Sequence, residues 1–355
     1  MVHTLFLQVA QSHQDAGVEV HVGLAVSAVG VESDILSDKN PLNPFGNMWD
    51  KDEESKRMVE LTLPAIKENY IKFDAFYRTR FTRTKIKYTS SNFNEITKVD
   101  ELSKFVCGSD TIFCPDEFGF DAGYYADYSV MRGNSVAYAA SFGDPHFTEE
   151  TYKILNERIQ NFKALGIREE QMIPYLKQHT TSPIRHVIDP TLLLTAEEYK
   201  PITEAPLMKD RYLLLYSRRY SPRMESYAVQ IAQKQGLKIV EISLRATNVD
   251  KGHIMAYSAG VEEFLSLVKN AEFVVTNSFH GMIFSVQFRR PFVVFSREQC
   301  DNKILELLQL FGLTDRMLVT GDEIFRDIDY DDVHHRIEKA RQESEQFLIT
   351  ELELL

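Results

Sequence analysis

Apolar positions along this chain follow two rhythms, and their alternation predicts the architecture. Short apolar runs ending in small or polar residues read as strands; longer runs with apolar positions every three or four residues read as helices. "ELSKFVCGSD" (101–110) is a short strand ending in Gly-Ser-Asp, and "SVAYAASFGD" (135–144) is a strand ending in Ser-Phe-Gly-Asp. Residues 148–178 read as helix, a brief strand at Ala164–Ile167, and helix again; "RHVIDPTLLL" (185–194) reads as a strand and then an Asp-Pro turn. After a polar, Pro-containing stretch at 195–210 the alternation restarts, with strands at 211–217 and 237–243 and helices at 224–236 and 260–271. "EFVVTNS", "GMIFSVQF" and "PFVVFS" then give strand, helix and strand, and a charged amphipathic helix runs over 333–355. Toward the N-terminus, 52–82 reads as helix, "GVEVHVGLAV" (17–26) as a strand and "SDKNPLNPFGN" (37–47) as a loop.

Strands alternating with helices form open parallel sheets, and here the alternation occurs twice. The expected architecture is α/β, with two Rossmann-like domains facing across a cleft: an N-terminal domain over 1–197, a linker over 198–210 and a C-terminal domain over 211–355. The terminal helix is expected to pack back near the domain joint. Ligands of open parallel sheets sit outside the carboxyl ends of the strands. That rule selects Gly108-Ser109-Asp110, Ser141-Phe142-Gly143, Ser217-Arg218-Arg219 and Thr276–Gly281.

Within the last of these, His280 falls at the start of a helix, where unpaired backbone N–H groups and the helix dipole attract anions. An imidazole also titrates in the range useful for proton transfer. Asn277 or Ser278 is suited to cap the helix. Arg218 and Arg219 leave a strand in different directions, so one of the two is expected to face the cleft and offer a planar fork for carboxylate or phosphate. Asp110 is placed to meet a sugar hydroxyl or act as a base. Asp189, before Pro190, is suited to shape a turn, and Arg168-Glu169 to pair or to cap a helix. Arg289-Arg290 lie at the amino end of a strand, far from the ligand edge, and read as solvated.

Composition narrows the chemistry. A net charge of −12 over 355 residues argues against a nucleic-acid partner, though it leaves room for a local cationic pocket. Cys107, Cys114 and Cys300 are too few and scattered for a disulfide framework, and with no His pair nearby no metal site is expected. No 18-residue apolar run predicts a transmembrane span, and no signal peptide is evident, so a cytoplasmic protein is expected, with peripheral membrane association left open. Neither a G-x-G-x-x-G after a strand, nor a P-loop lysine motif, nor a G-x-S-x-G elbow occurs.

"FVVTNSFHGMIFSVQFRRPFVVF" (273–295) resembles the signature region of the polysaccharide pyruvyl transferase family: a strand ending in Thr-x-(Ser/Arg)-(Phe/Leu)-His, a small-residue helix, and Pro opening the next strand. "FVCGSDTIF" is similar to the family's Gly-Ser-Asp-x-x-Trp segment, with Phe113 at the Trp position. "AYAASFG", "GIREEQ", "VIDPTLLL" and "NKILELLQLFGLTDR" resemble further family segments, in order between about 100 and 318. The N-terminus departs from the pattern: Leu7-Gln8 matches a helix, but the family's first strand and Asn-Gly loop have no counterpart.

The resemblance implies a fold like that of GT-B glycosyltransferases. It also implies transfer of an enolpyruvyl unit from phosphoenolpyruvate to a sugar residue, giving a pyruvate ketal and phosphate without a cofactor. The acceptor would be a polysaccharide or a precursor carried on a lipid or a nucleotide. His280 is implied as general acid, with Ser278 and Phe279 at donor-contacting positions beside Asn277 and Gly281. Many members have Arg where Ser278 stands, so Arg218 or Arg219 is expected to meet the donor's charge. Asp110, Ser109 and Ser141 are the acceptor-side candidates. Two alternatives stay open: a GT-B-type transferase using a nucleotide sugar, and an inactive sugar- or partner-binding relative.

Overall fold

The computed structural model of the chain describes residues 53–81, 84–86, 88, 90–143, 146–296, 301–318 and 326–355. The strand expected at 17–26, the loop at 37–47 and the helix around Leu7-Gln8 lie outside these residues.

The first sheet holds β1 (Phe105–Cys107), β2 (Ser135–Ala140), β3 (Ala164–Ile167) and β4 (Ile184–His186), all parallel and in that spatial order. Every residue of β2 and β3 is buried, as a near-continuous apolar run in a parallel sheet requires. Helix α2 (Glu149–Arg158) crosses between β2 and β3, started by Thr148, whose hydroxyl accepts the Thr151 N–H. An aromatic cluster fills one face of the sheet. Phe113 stacks on Tyr125 at 4.6 Å within it.

The second sheet comprises β5 (Tyr212–Tyr216), β6 (Lys238–Ile242), β7 (Ile254–Met255), β8 (Phe273–Thr276), β9 (Phe292–Phe295) and β10 (Met317–Leu318). Its spatial order, β7-β6-β5-β8-β9-β10, is the doubly wound order, so the direction of winding reverses between β5 and β8. The intervening helices are α3 (Pro222–Gln235), α4 (Val261–Lys269), α5 (Phe279–Gln287) and α6 (Asp301–Phe311). Gly236 ends α3 in the left-handed conformation at φ 63°, where a Cβ would be strained.

α5 is buried at every position, as expected of a helix with apolar residues all round. Its Gln287 side chain donates to the carbonyls of Thr191 and Leu194, which follow β4, so α5 ties the two sheets together. The connection between the sheets is itself packed: Tyr199 and Ile202 are buried, and the Tyr199 ring meets Phe284 of α5 edge-on. One continuous apolar core runs from Tyr138 and Ile188 on the first side to Leu214 and Val274 on the second.

Two long helices close the joint from opposite directions. The 28-residue helix α1 (Glu53–Arg80) precedes the first sheet in the chain yet lies against the second. Lys72 and Arg80 each reach α4, pairing at 2.6 Å with Glu263 and Glu262, and Asn69 donates to the Ala259 carbonyl. The C-terminal helix α7 (Tyr330–Glu353) does the reverse. Its Ser344 hydroxyl accepts the Ile188 N–H, Arg341 donates to the Leu192 carbonyl, and Phe347 packs on Gly166 of β3.

The Phe347–Gly166 contact permits no side chain at 166, because a Cβ there would lie 2.8 Å from the Phe347 ring. Gly166→Ala should therefore cost roughly 1–3 kcal/mol by overpacking. Adding Phe347→Leu should recover part of that cost, a coupling that a double-mutant cycle of urea midpoints measures. Strict additivity would show that the helix does not bear on β3.

Candidate functional site

The carboxyl ends of both sheets converge on the turn that joins β8 to α5. Ser278 takes extended backbone angles and its hydroxyl accepts the Gly281 N–H at 3.2 Å, so the cap falls to Ser278. Thr276 donates its hydroxyl to the Tyr216 carbonyl and accepts the Ser278 N–H, fastening the turn to β5. Asn277 spans the point where the winding reverses: it accepts the Arg218 N–H at 2.8 Å and donates to the Arg219 carbonyl at 2.6 Å. Gly281 allows the helix to sit this close, since a Cβ there would lie 2.5 Å from Thr276 Oγ1 and 2.9 Å from Tyr216. These bonds hold His280 as the second residue of α5, at the joint.

Facing it from the first sheet is Arg168, directly after β3 and 6% exposed. Its guanidinium meets Asp110 at 2.5 Å, Asp189 at 2.7 Å and the Ser141 hydroxyl at 2.6 Å, and Glu169 lies 3.5 Å from its Nε. Burial works against the charged guanidinium, but Asp110, Glu169 and Asp189 outweigh it and raise its pKa. Lys303 of α6 reaches across from the second side to the same Asp110 oxygen, at 3.1 Å. Burial pushes the Asp110 carboxyl up, but Arg168 and Lys303 overcome this and hold it well below the usual carboxylate range. The Phe279 ring lies beneath both cations, its centroid 4.7 Å from the Arg168 guanidinium carbon and 5.3 Å from Lys303 Nζ.

His280 Nε2 is buried, lacks a hydrogen-bond partner among the described residues, and lies 3.9 Å from Asp189 Oδ2. Burial lowers its pKa to about 4, against the opposing pull of Asp189 and Asp110, with Arg168 and Lys303 adding to the depression. The imidazole is thus neutral at pH 7, set among groups that respond to any added charge.

Of the residues singled out in the sequence, the structure gathers His280, Phe279, Ser278, Gly281, Asp110 and Ser141 about this centre. Ser141 is already engaged, donating to Glu169 while accepting from Arg168 and the Gly143 N–H. Ser109 is fully buried; its hydroxyl has no partner among the described residues, and its carbonyl accepts the Ser141 N–H. Arg218 and Arg219 are exposed beyond β5, and their backbone, not their side chains, joins the turn. Arg168 and Lys303 are the cations that stand over Phe279 instead. Asp189 does shape its turn, accepting from the Thr191 N–H and hydroxyl through Oδ1, but Oδ2 serves Arg168 and faces His280. Arg289 pairs with exposed Asp331, at a distance from this edge.

A cavity of about 30 Å³ adjoins the centre, between the end of β4 and α6, lined by Arg168, Asp189, Phe279, Lys303 and Glu306. It has room for a water or two. Glu306 is pushed up by burial and by the charge of Glu169, and the nearby backbone amides of Gln171 and Glu170 oppose that shift.

The depressed pKa of His280 has a stability consequence with a fixed sign. As pH falls below 6.5 the unfolded chain takes up a proton that the folded chain refuses until about 4, so unfolding gains. Roughly 3 kcal/mol of stability should be lost from this group across that window. His280→Gln should lose correspondingly less between pH 7 and pH 4.5 in urea titrations, and equal losses would place the ring in contact with solvent.

No curated protein matches the chain. Among solved structures, a Methanocaldococcus jannaschii UDP-GlcNAc 2-epimerase, in complex with UDP-GlcNAc and UDP, is 14% identical, with a TM-score of 0.44 over 96% of this chain and 89% of that one. S. aureus MnaA with UDP is 10% identical, with a TM-score of 0.40 over 86% and 85% of the two chains. Likeness at this level says nothing of ligand or reaction. The family comparison is more informative, for residues 47–299 match the model for polysaccharide pyruvyl transferase. That span contains β1 to β9 and the turn bearing His280, and the chain belongs to the polysaccharide pyruvyl transferase family.

Proposed function

We propose that the chain transfers the enolpyruvyl unit of phosphoenolpyruvate to two hydroxyls of a saccharide, with His280 as general acid. The observation that carries this reading is the buried His280 Nε2, without a hydrogen-bond partner among the described residues and set at a helix start opposite Arg168. A small anion with a carboxylate and a phosphate suits a guanidinium and a helix N-terminus together. The family membership supports pyruvyl transfer to a polysaccharide, and the centre supplies the acid such a transfer needs.

The step balances with the groups present. His280 gives its proton to C3 of the enol while an acceptor oxygen bonds to C2, and that hydroxyl's proton passes to a carboxylate. The bond from C2 to the phosphate oxygen then breaks, and phosphate leaves carrying that proton. A second hydroxyl oxygen bonds to C2 and its proton returns to His280, completing the ketal. Asp189, 3.9 Å away, favours the imidazolium without bonding to it.

For this chemistry His280 must gain a proton that it lacks at rest. Arg168 and Lys303 face Asp110, Asp189 and Glu169, so the centre carries one net negative charge with His280 neutral. An anionic donor adds to that charge and favours the imidazolium, so proton uptake accompanies binding. Donor affinity should then fall as pH rises above about 4, by up to about tenfold per unit, until the bound-state pKa is passed. Calorimetry of phosphoenolpyruvate binding in two buffers of different ionisation enthalpy reads the uptake directly, and His280→Gln should abolish it.

Turnover is the decisive test. Phosphate release from phosphoenolpyruvate with saccharide acceptors should drop roughly 10²–10⁴-fold in His280→Gln, the usual worth of a general acid. Full activity in that variant would remove His280 from the mechanism.

A further inference from the structure

We propose that Lys303 is a donor-binding residue held in reserve by Asp110: the anionic donor draws Lys303 away, and Asp110, so released, takes the proton of the first acceptor hydroxyl. This rests on the pyruvyl-transfer reading above.

Lys303 lies beyond residues 47–299, on α6, and is 7% exposed. One oxygen of Asp110, at the end of β1, receives both Lys303 and Arg168. The two cations are not equivalent. Arg168 has Asp189 as a further carboxylate, whereas among the described residues Lys303 has no ion pair other than Asp110. Losing the shared oxygen to a ligand therefore leaves Arg168 anchored and Lys303 free to follow the charge. An ammonium on a flexible stem can turn between two anions, which a guanidinium fixed on several acceptors cannot.

The pair is also dispensable for packing. A buried ion pair is a weak source of stability because both charges must leave water. α6 is already held by the buried side chains of Ile304 and Leu308. Meanwhile the helix start beside His280 carries no side-chain cation, since Ser278 is its cap. Phosphoenolpyruvate has anionic groups at two ends. Arg168 and Lys303, both over the Phe279 ring, are placed to take one each.

Asp110 paired with two cations is a poor base, and the groups facing it are the cations Arg168 after β3 and Lys303 on α6 and the titratable His280 on α5. Removing Lys303 raises its proton affinity at the moment the donor is in place. The hydroxyl proton then moves to Asp110 as the acceptor oxygen bonds to C2, and departs with the phosphate. The base is thereby switched on only when there is a donor to attack.

The test is calorimetric titration of the full chain with phosphoenolpyruvate, alongside steady-state turnover. Lys303→Met should weaken donor binding about 10–100-fold with the acceptor KM unchanged, and Lys303→Arg should restore most of it. Asp110→Asn should bind the donor at least as tightly as wild type while kcat falls about 100-fold or more. Wild-type binding retained in Lys303→Met overturns this proposal alone, as does Asp110→Asn losing donor affinity to the extent Lys303→Met does. Absence of phosphoenolpyruvate binding in wild type removes the pyruvyl-transfer reading and this proposal with it.

Discussion

A guanidinium leaves water only if carboxylates and hydroxyls replace its hydration, and the joint between the two sheets is arranged around meeting that condition for Arg168. Asp110 arrives from β1, Ser141 from β2 and Asp189 from the turn after β4, so all four strands of the first sheet are placed relative to one charge. Phe279 of α5 closes over its face and Lys303 shares its partner, which brings the second sheet into the same arrangement. The acidity of His280 is a by-product: the packing that buries the arginine also buries the imidazole and leaves it neutral.

Much of this architecture was legible in the order of residues. Strands such as Tyr212–Tyr216 and Phe273–Thr276 are unbroken apolar runs, and the helix between β8 and β9 is marked by its capping serine and following glycine. These are local signals, carried by neighbours in sequence. The rule that ligands sit at the carboxyl ends of parallel strands also selects Asp110, Ser141 and His280 from the sequence as residues lining one cleft.

The cations were harder to place. Arg218-Arg219 and Arg168 all follow strands, so strand-end position does not distinguish them. What does is whether carboxylates from other strands surround the side chain. Lys303 meets Asp110 across 193 residues of chain, in a helix with nothing unusual in its own sequence. Asp189 shows a further limit of local reading: its turn-forming oxygen is evident from the Pro that follows, while its second oxygen belongs to a network assembled from elsewhere.

The crossed placement of the two long helices bears on how the protein is made. α1 emerges from the ribosome before either sheet, but the residues its side chains bond to, Asp250, Ala259 and Glu263, are synthesised nearly two hundred residues later. The first sheet likewise waits for Phe347 and Ser344 at the far end of the chain. Each half makes part of its contacts with a helix drawn from the other end of the chain, so the contacts of α1 with α4 form only after most of the chain has been synthesised. Severing the chain between the sheets would part each long helix from the sheet or helix it packs on, so connectivity, as much as the strength of either core, governs whether the halves fold apart.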